Sequence, residues 1–365
     1  MRIGIDAREI CGRSTGAGRY LSGLLREWAA DPDARRHEFV LYAPEELTIE
    51  LDARRFATRL VPGGSGTWWE QVRLPRSARA DHLDVFFSPA YSVPLRLKVP
   101  VVVAIHDLSF IAHPEWFRTR EGARRRWLAR ASAARAGGVV TISEFSRREI
   151  ADRLGVPDSR LHVIPPGISV PAAARLADAG EERVLYVGSI FNRRHVPDLI
   201  RSFGLLARRR SRALLDLVGE NRTYPHEDVA RAIADEHLDG RIQWHRYASE
   251  DELDRLYRGA RAFAFLSEYE GLGLTPLEAL ASGVPPVLLD TPVARESCGE
   301  AALYVARGDL DGTAGALEQA LADPAVRSRL LAAAPAALAK YRWPEAARRT
   351  LSVIESTVNR RLTTD

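Results

Sequence analysis

The sequence predicts a doubly wound α/β chain built in two halves, and three observations carry that reading. Short apolar runs alternate with stretches of helical period from residue 3 onward. The alternation stops in a loose Pro/Ala-containing segment after Gly167 and restarts at Val184. Glycines stand at the ends of several apolar runs, where open α/β sheets meet their ligands. At 365 residues the chain exceeds what one hydrophobic core usually serves, so two domains are expected.

Taken in order, Ile3-Gly4-Ile5 reads as the first strand and leads into a glycine-bearing loop, Gly12 to Gly18. Leu21, Leu24, Leu25 and Trp28 then share one helical face. Phe39 to Tyr42 is the next strand. Residues 62–80 are expected to be irregular, with Trp68 and Trp69 near the surface or at a seam between domains. Asp84–Ser88, Val99–Ile105 and Gly137–Ile142 read as buried strands, and Ser143 caps a helix from Glu144 to Leu154. A strand at Leu161–Ile164 ends in Pro165-Pro166-Gly167, and the segment to about Glu182 is the best linker candidate.

In the second half Val184–Gly188, Leu214–Gly219 and Ile242–His245 are strands, and Ser249-x-x-Glu252 is a capping box. Arg261–Leu266 is a buried strand, Pro276–Ser282 a helix that stops at Gly283, and Pro286–Leu289 the following strand. The tail from Glu345 to about Leu362 reads as one long helix. The expected organisation is an N-terminal domain over residues 1–170, a C-terminal domain over 171–342, and a helix at 343–365 that packs back on the first domain.

Composition narrows the function. The two cysteines, Cys11 and Cys298, are too few for a disulfide framework or a zinc cluster and fit a reducing compartment. The first residues enter a strand with no apolar signal region, and no run approaches the ~20 apolar residues of a membrane helix. A cytoplasmic protein is therefore expected. The net charge of +4 is uneven: 26 Lys and Arg face 20 Asp and Glu through residue 172, against 26 and 28 after it. A basic first half suits an anionic partner, a membrane surface or a phosphorylated acceptor. Nucleic acid is not expected, because no binding motif accompanies the charge.

The chemistry gathers around Ser267 to Ala281, where Glu270 and Glu278 bracket a glycine-rich turn. Thr275 is a good N-cap, Pro276 suits the first helical position, and Thr275-x-x-Glu278 is a capping box. Glu278 therefore reads as a reciprocal cap. It reads equally as part of a site in which backbone N–H groups at the helix start face an anion, with Gly271 and Gly273 allowing close approach. Asp309-Leu310-Asp311 precedes a helix, and capping is the expected role there.

At this point the residues resemble the large retaining glycosyltransferase family 4, of GT-B fold, and its bacterial mannosyltransferase-like subgroup. Its Glu-x7-Glu signature is matched by EGLGLTPLE, Glu270 to Glu278. STGAGRY (Ser14–Tyr20), AIHDLSF (Ala104–Phe110) with HPEWF (His113–Phe117), ISEFSRREI (Ile142–Ile150) and VLYVGSIFNRRH (Val184–His195) follow in family order. The departures are Leu272 for the usual phenylalanine, Thr275 for proline, Arg194 for lysine, His195 for asparagine and Arg246 at a frequent glycine position.

The resemblance implies two facing Rossmann-like domains with a cleft between them. It also implies transfer of a hexose from a nucleotide-sugar to a polysaccharide or lipid-linked acceptor, with GDP-mannose the first donor expected and UDP-glucose the next. Arg193 and Arg194 would clamp the diphosphate, where fixed positive charge stabilises the leaving group. Glu278 would accept the ribose hydroxyls and Glu270 would face the donor sugar. Gly271, Leu272, Gly273, Leu274 and Thr275 would line the donor through their backbone, with Gly188 at the preceding strand end and Gly16 and Gly18 from the first half. His106 would reach the sugar, while Asp107 fits a structured turn. Glu268 matches no role and reads as a surface residue. No metal and no other cofactor is expected. The arginine-rich segment Phe117–Arg135, with Trp127 and Leu128, is either a solvated helix face or a dock for anionic lipid. Alternatives of the same fold are a nucleotide-sugar epimerase and a non-catalytic binding protein.

Overall fold

A computed structural model describes residues 1–12, 16–168, 182–238 and 240–362. Ser14 and Thr15 of the first glycine loop, most of the linker candidate and the last three residues lie outside the described residues. The chain divides into two compact units. One comprises Met1–Ala112, Thr119–Gly167 and Tyr341–Asp365; the other comprises His113–Arg118 and Ile168–Lys340.

The first unit is built on seven strands: β1 (Arg2–Asp6), β2 (Glu38–Ala43), β3 (Phe56–Leu60), β4 (Val85–Ser88), β5 (Val101–Ala104), β6 (Gly138–Thr141) and β7 (Leu161–Val163). All pair in parallel, in the order β3-β2-β1-β4-β5-β6-β7, with Ile3 opposite both Phe39 and Val85. Helices cover the faces, so central strands such as Val101–Ala104 are buried throughout and read as continuous apolar runs. The order reverses between β1 and β4, which makes their carboxyl ends a switch point.

The helix Gly16–Ala30 and the C-terminal helix Trp343–Leu362 share this unit's core. Trp28 is fully buried, stacks on Phe39 and donates its indole N–H to the Ala347 carbonyl at 3.0 Å. A Cβ on Gly23 would come within 2.4 Å of the Trp343 ring, which explains a glycine in mid-helix. Residues 62–80 are not irregular, as the sequence suggested. A π-helical turn, Trp69–Arg73, runs into the helix Leu74–Ala78. Its anchors lie outside the turn: Trp69 donates to the Val61 carbonyl nearby, and buried Glu70 accepts from the distant Arg8 and Ser92 Oγ. Trp68 is left exposed.

The second unit holds β8 (Glu182–Val187), β9 (Ala213–Val218), β10 (Ile242–His245), β11 (Ala262–Phe265), β12 (Pro286–Leu289) and β13 (Leu303–Val305). They form a parallel sheet in the order β10-β9-β8-β11-β12-β13. Here the order reverses between β8 and β11, so the switch point of this sheet lies at the strand ends carrying Gly188 and the Glu270 turn. The helix after β11 runs from Leu274 to Ala281, and its N-cap is Gly273 at φ +83°. This corrects the Thr275 cap and the capping box. The left-handed glycine starts the helix earlier, Thr275 falls inside the first turn, and no side chain caps it.

Candidate active site

Glycines shape the edge before any charge is placed. Gly188 follows β8 at φ +147°, and a Cβ there would lie 2.4 Å from Arg194 Nη1. Gly219 follows β9, and its Cβ would meet the Gly188 carbonyl oxygen at 2.0 Å. Any side chain at Gly188 would push the Arg194 guanidinium off the strand end.

The loop after Gly188 makes a 3-10 turn, Asn192–Arg194, that presents two arginines. Arg194 Nε donates to Glu270 Oε1 at 2.8 Å and Nη1 to the Ser189 carbonyl at 2.8 Å. Its guanidinium lies 4.9 Å from the Phe265 ring centre. Arg193 Nε donates to the Tyr269 carbonyl at 3.1 Å, with its guanidinium 4.4 Å from the Phe191 ring centre and 3.8 Å from Glu270 Oε1. Glu270 also accepts from Ser267 Oγ at 2.9 Å.

Burial by itself would raise the Glu270 carboxyl. The charges of Arg194 and Arg193, with hydrogen bonds from Arg194 and Ser267, outweigh it and hold the group below the ordinary range. Burial opposes the Arg194 charge, and Glu270 and Tyr186 together outweigh it and raise its pKa. Both guanidinium groups thus converge on the one Glu270 carboxylate. The Glu270 contact is one that spacing did not announce for Arg194.

The turn Gly271-Leu272-Gly273 then opens the helix, with Leu272 buried and Leu274 and Thr275 half-buried. Glu278, one turn on, accepts from the Tyr257 hydroxyl at 3.2 Å. A cavity lined by Glu270, Leu272, Gly273 and Pro276 has only about 20 Å³, which is too small for a sugar.

The structure thus brings together Gly188, Arg193, Arg194, Glu270, Gly271 to Thr275 and Glu278 in one unit. Gly16, Gly18 and His106 belong to the other. Gly16 opens the helix that follows β1, and Gly18 is buried. His106 follows β5 with its ring edge-on to Tyr20 at 4.7 Å, and its Nε2 is buried with no hydrogen-bond partner among the described residues. Burial lowers its pKa to about 4, against a partial pull upward from Asp107. Its imidazole is therefore neutral near pH 7. Asp107 accepts from the Ser109 N–H and hydroxyl, a structured turn. Asp309 is a helix cap, accepting from the Gly312 N–H at 2.8 Å.

The sequence reading missed Glu268. It is not a surface residue: its side chain is 15% exposed and its carboxylate lies 2.5 Å from Arg307 and 3.3 Å from His195 Nε2. Spacing gave no signal for either contact.

Both units are parallel-sheet Rossmann-like folds, the architecture of GT-B glycosyltransferases, and the family models that match the chain are of that class. The family model for glycosyl transferases group 1 matches residues 172–336, and that for glycosyltransferase family 4 matches residues 14–170. The chain belongs to glycosyltransferase family 4.

It is 28% identical over 291 residues to O-antigen chain mannosyltransferase B of Escherichia coli, covering 75% of each chain. It is 29% identical over 228 residues to a GDP-mannose:cellobiosyl-diphosphopolyprenol alpha-mannosyltransferase of Xanthomonas oryzae pv. oryzae, covering 60% of this chain and 57% of that one. Among solved structures, sucrose-phosphate synthase from Thermosynechococcus elongatus superposes with a TM-score of 0.78 at 17% identity, over 100% of this chain and 99% of that one. HepE of Anabaena, in complex with UDP and glucose, gives 0.78 at 15% identity, over 98% and 100%.

Proposed function

We propose that this glycosyltransferase moves a mannosyl group from GDP-mannose to a polysaccharide or lipid-linked saccharide, with retention of anomeric configuration. The observation that carries the reading is the cationic pair Arg193 and Arg194 beside Glu270, set at the β8/β11 switch point with the turn Gly271–Gly273. The names of the mannosyltransferase relatives support the donor and the acceptor class. UDP-glucose is the second donor.

In this reading the bond from the sugar's anomeric carbon to the diphosphate breaks, and the acceptor oxygen attacks from the same face. Its proton passes to a departing phosphate oxygen. Arg193 and Arg194 stabilise the charge that grows on the diphosphate. Glu270 faces the sugar, Glu278 takes the ribose hydroxyls, and His106 contributes to turnover as a neutral imidazole. The reaction is proposed to run without a metal, and activity should persist in chelator.

The same reading gives the protein a peripheral membrane contact. On the helix Thr119–Arg135 the exposed positions include Arg120, Arg124, Trp127 and Arg130, whereas Leu128 is buried. Arg124 donates to Thr67 Oγ1 at 2.9 Å, which sets exposed Trp68 beside that stripe. Among the described residues no helix is long and apolar enough to cross a membrane.

A thermal-shift screen across GDP-, UDP- and ADP-sugars tests the donor. GDP-mannose should give the largest shift, and the product's anomeric coupling in NMR should match the donor's. A larger shift with a UDP- or ADP-sugar, or an inverted product, overturns the corresponding part.

A further inference from the structure

The turn that aims Arg193 and Arg194 is an unfavourable one. His195, the next residue, sits at φ +45°, ψ +42°, a left-handed conformation that a residue with a Cβ adopts reluctantly. It is also the N-cap of the helix Val196–Arg209, and its side chain caps nothing. Glycine would take this backbone without strain.

Glu268 compensates from the other side of the switch point. Its backbone N–H donates to the Arg193 carbonyl at 2.9 Å, and its Oε1 lies 3.3 Å from His195 Nε2, in contact but not aligned as a hydrogen bond. The same carboxylate is held at 2.5 Å by Arg307, which follows β13 and is otherwise largely exposed. Asp198 Oδ2 lies 4.0 Å from His195 Nδ1. Two strands' loops thus meet on the residue directly after the arginine pair.

We propose that Glu268 is a positioning residue for the arginine pair. Its carboxylate, braced by Arg307, holds His195 in the left-handed turn and so keeps Arg193 and Arg194 directed at the diphosphate. Glu268 need not touch substrate. The inference rests on the donor-site reading given above.

A double-mutant cycle tests it, read by calorimetric affinity for GDP and UDP and by kcat/KM for GDP-mannose hydrolysis. Glu268→Ala should weaken diphosphate binding and lower kcat/KM about tenfold, a loss of roughly 1.4 kcal/mol. In a His195→Gly background the same substitution should cost no more than about twofold, because glycine holds the turn unaided. Arg307→Ala should reproduce part of the first loss and none of it in the glycine background. A salt bridge that merely stabilises the fold would lower the melting temperature equally in both backgrounds and leave GDP affinity unmoved.

Wild-type affinity and turnover in Glu268→Ala, or an equal loss in both backgrounds, overturns the proposal. Arg193→Ala separates this from the underlying reading. Unchanged nucleotide affinity in that variant overturns the donor site and this proposal together. A weakened Arg193→Ala beside an unaffected Glu268→Ala overturns only the proposal.

Discussion

Arg194→Ala should reveal the Arg194–Glu270 pair as a stability element whose contribution depends on pH. The two side chains are 13% and 14% exposed and joined at 2.8 Å, so removing the cation leaves a carboxylate in a poorly solvated place. Breaking such a pair from one side costs about 3–5 kcal/mol. Arg194 also lies over Phe265 and bonds the Ser189 carbonyl, which together add about 1–2 kcal/mol.

The sign follows from Glu270. In the wild type its carboxyl is held below 4.5, so its contribution is present above that pH and is lost as pH falls through the folded value. In Arg194→Ala, burial is opposed only by Arg193 and the Ser267 hydrogen bond, and the balance in the folded state shifts toward the protonated acid. The gap between wild type and variant should be largest near pH 7 and shrink toward pH 4. Urea denaturation across that range measures it, with Glu270→Gln as partner. In the Gln background Arg194→Ala should cost only about the 1–2 kcal/mol of its other contacts. A gap that does not change with pH, or an equal cost in both backgrounds, refutes the reasoning.

Two more predictions follow from the first unit. His106→Ala should lower kcat more than donor affinity, and the wild-type rate profile should show no His106 titration above pH 5, since its pKa is about 4; equal losses in kcat and affinity, or a limb at pH 6 to 7 that vanishes in the variant, contradict this. Burial raises the Asp6 carboxyl to about 6, with Arg8 opposing, so its ionisation works against the fold as pH rises from 3.8 to 6. The stability of Asp6→Asn relative to wild type, from urea midpoints, should therefore grow over that interval by an amount on the order of 2–3 kcal/mol and level off above it.

The architecture was legible in the sequence because parallel strands buried on both faces announce themselves. Val101–Ala104 and Ala262–Phe265 are unbroken apolar runs, and the glycines after β8 and β11 mark the working ends of their strands. The grouping of Gly188, Arg193, Arg194, Glu270 and Glu278 in one unit was legible for the same reason, since they follow those strands in sequence. What was not legible depends on partners far along the chain. The turn at Trp69–Arg73 is anchored through Glu70, which accepts from Arg8 and from Ser92 Oγ. The cap at Gly273 replaced a well-formed Thr275 box because a left-handed glycine can start a helix where no side chain is needed. Glu268 looked like a surface acid because Arg307, almost forty residues on, is invisible to local spacing.

A crystal structure with GDP bound tests the central claim most directly. The diphosphate should lie at the carboxyl ends of β8 and β11, against Arg193 and the Gly271–Gly273 turn, with Glu278 at the ribose. A diphosphate bound elsewhere on the chain, with that turn and Arg193 untouched, would contradict the account.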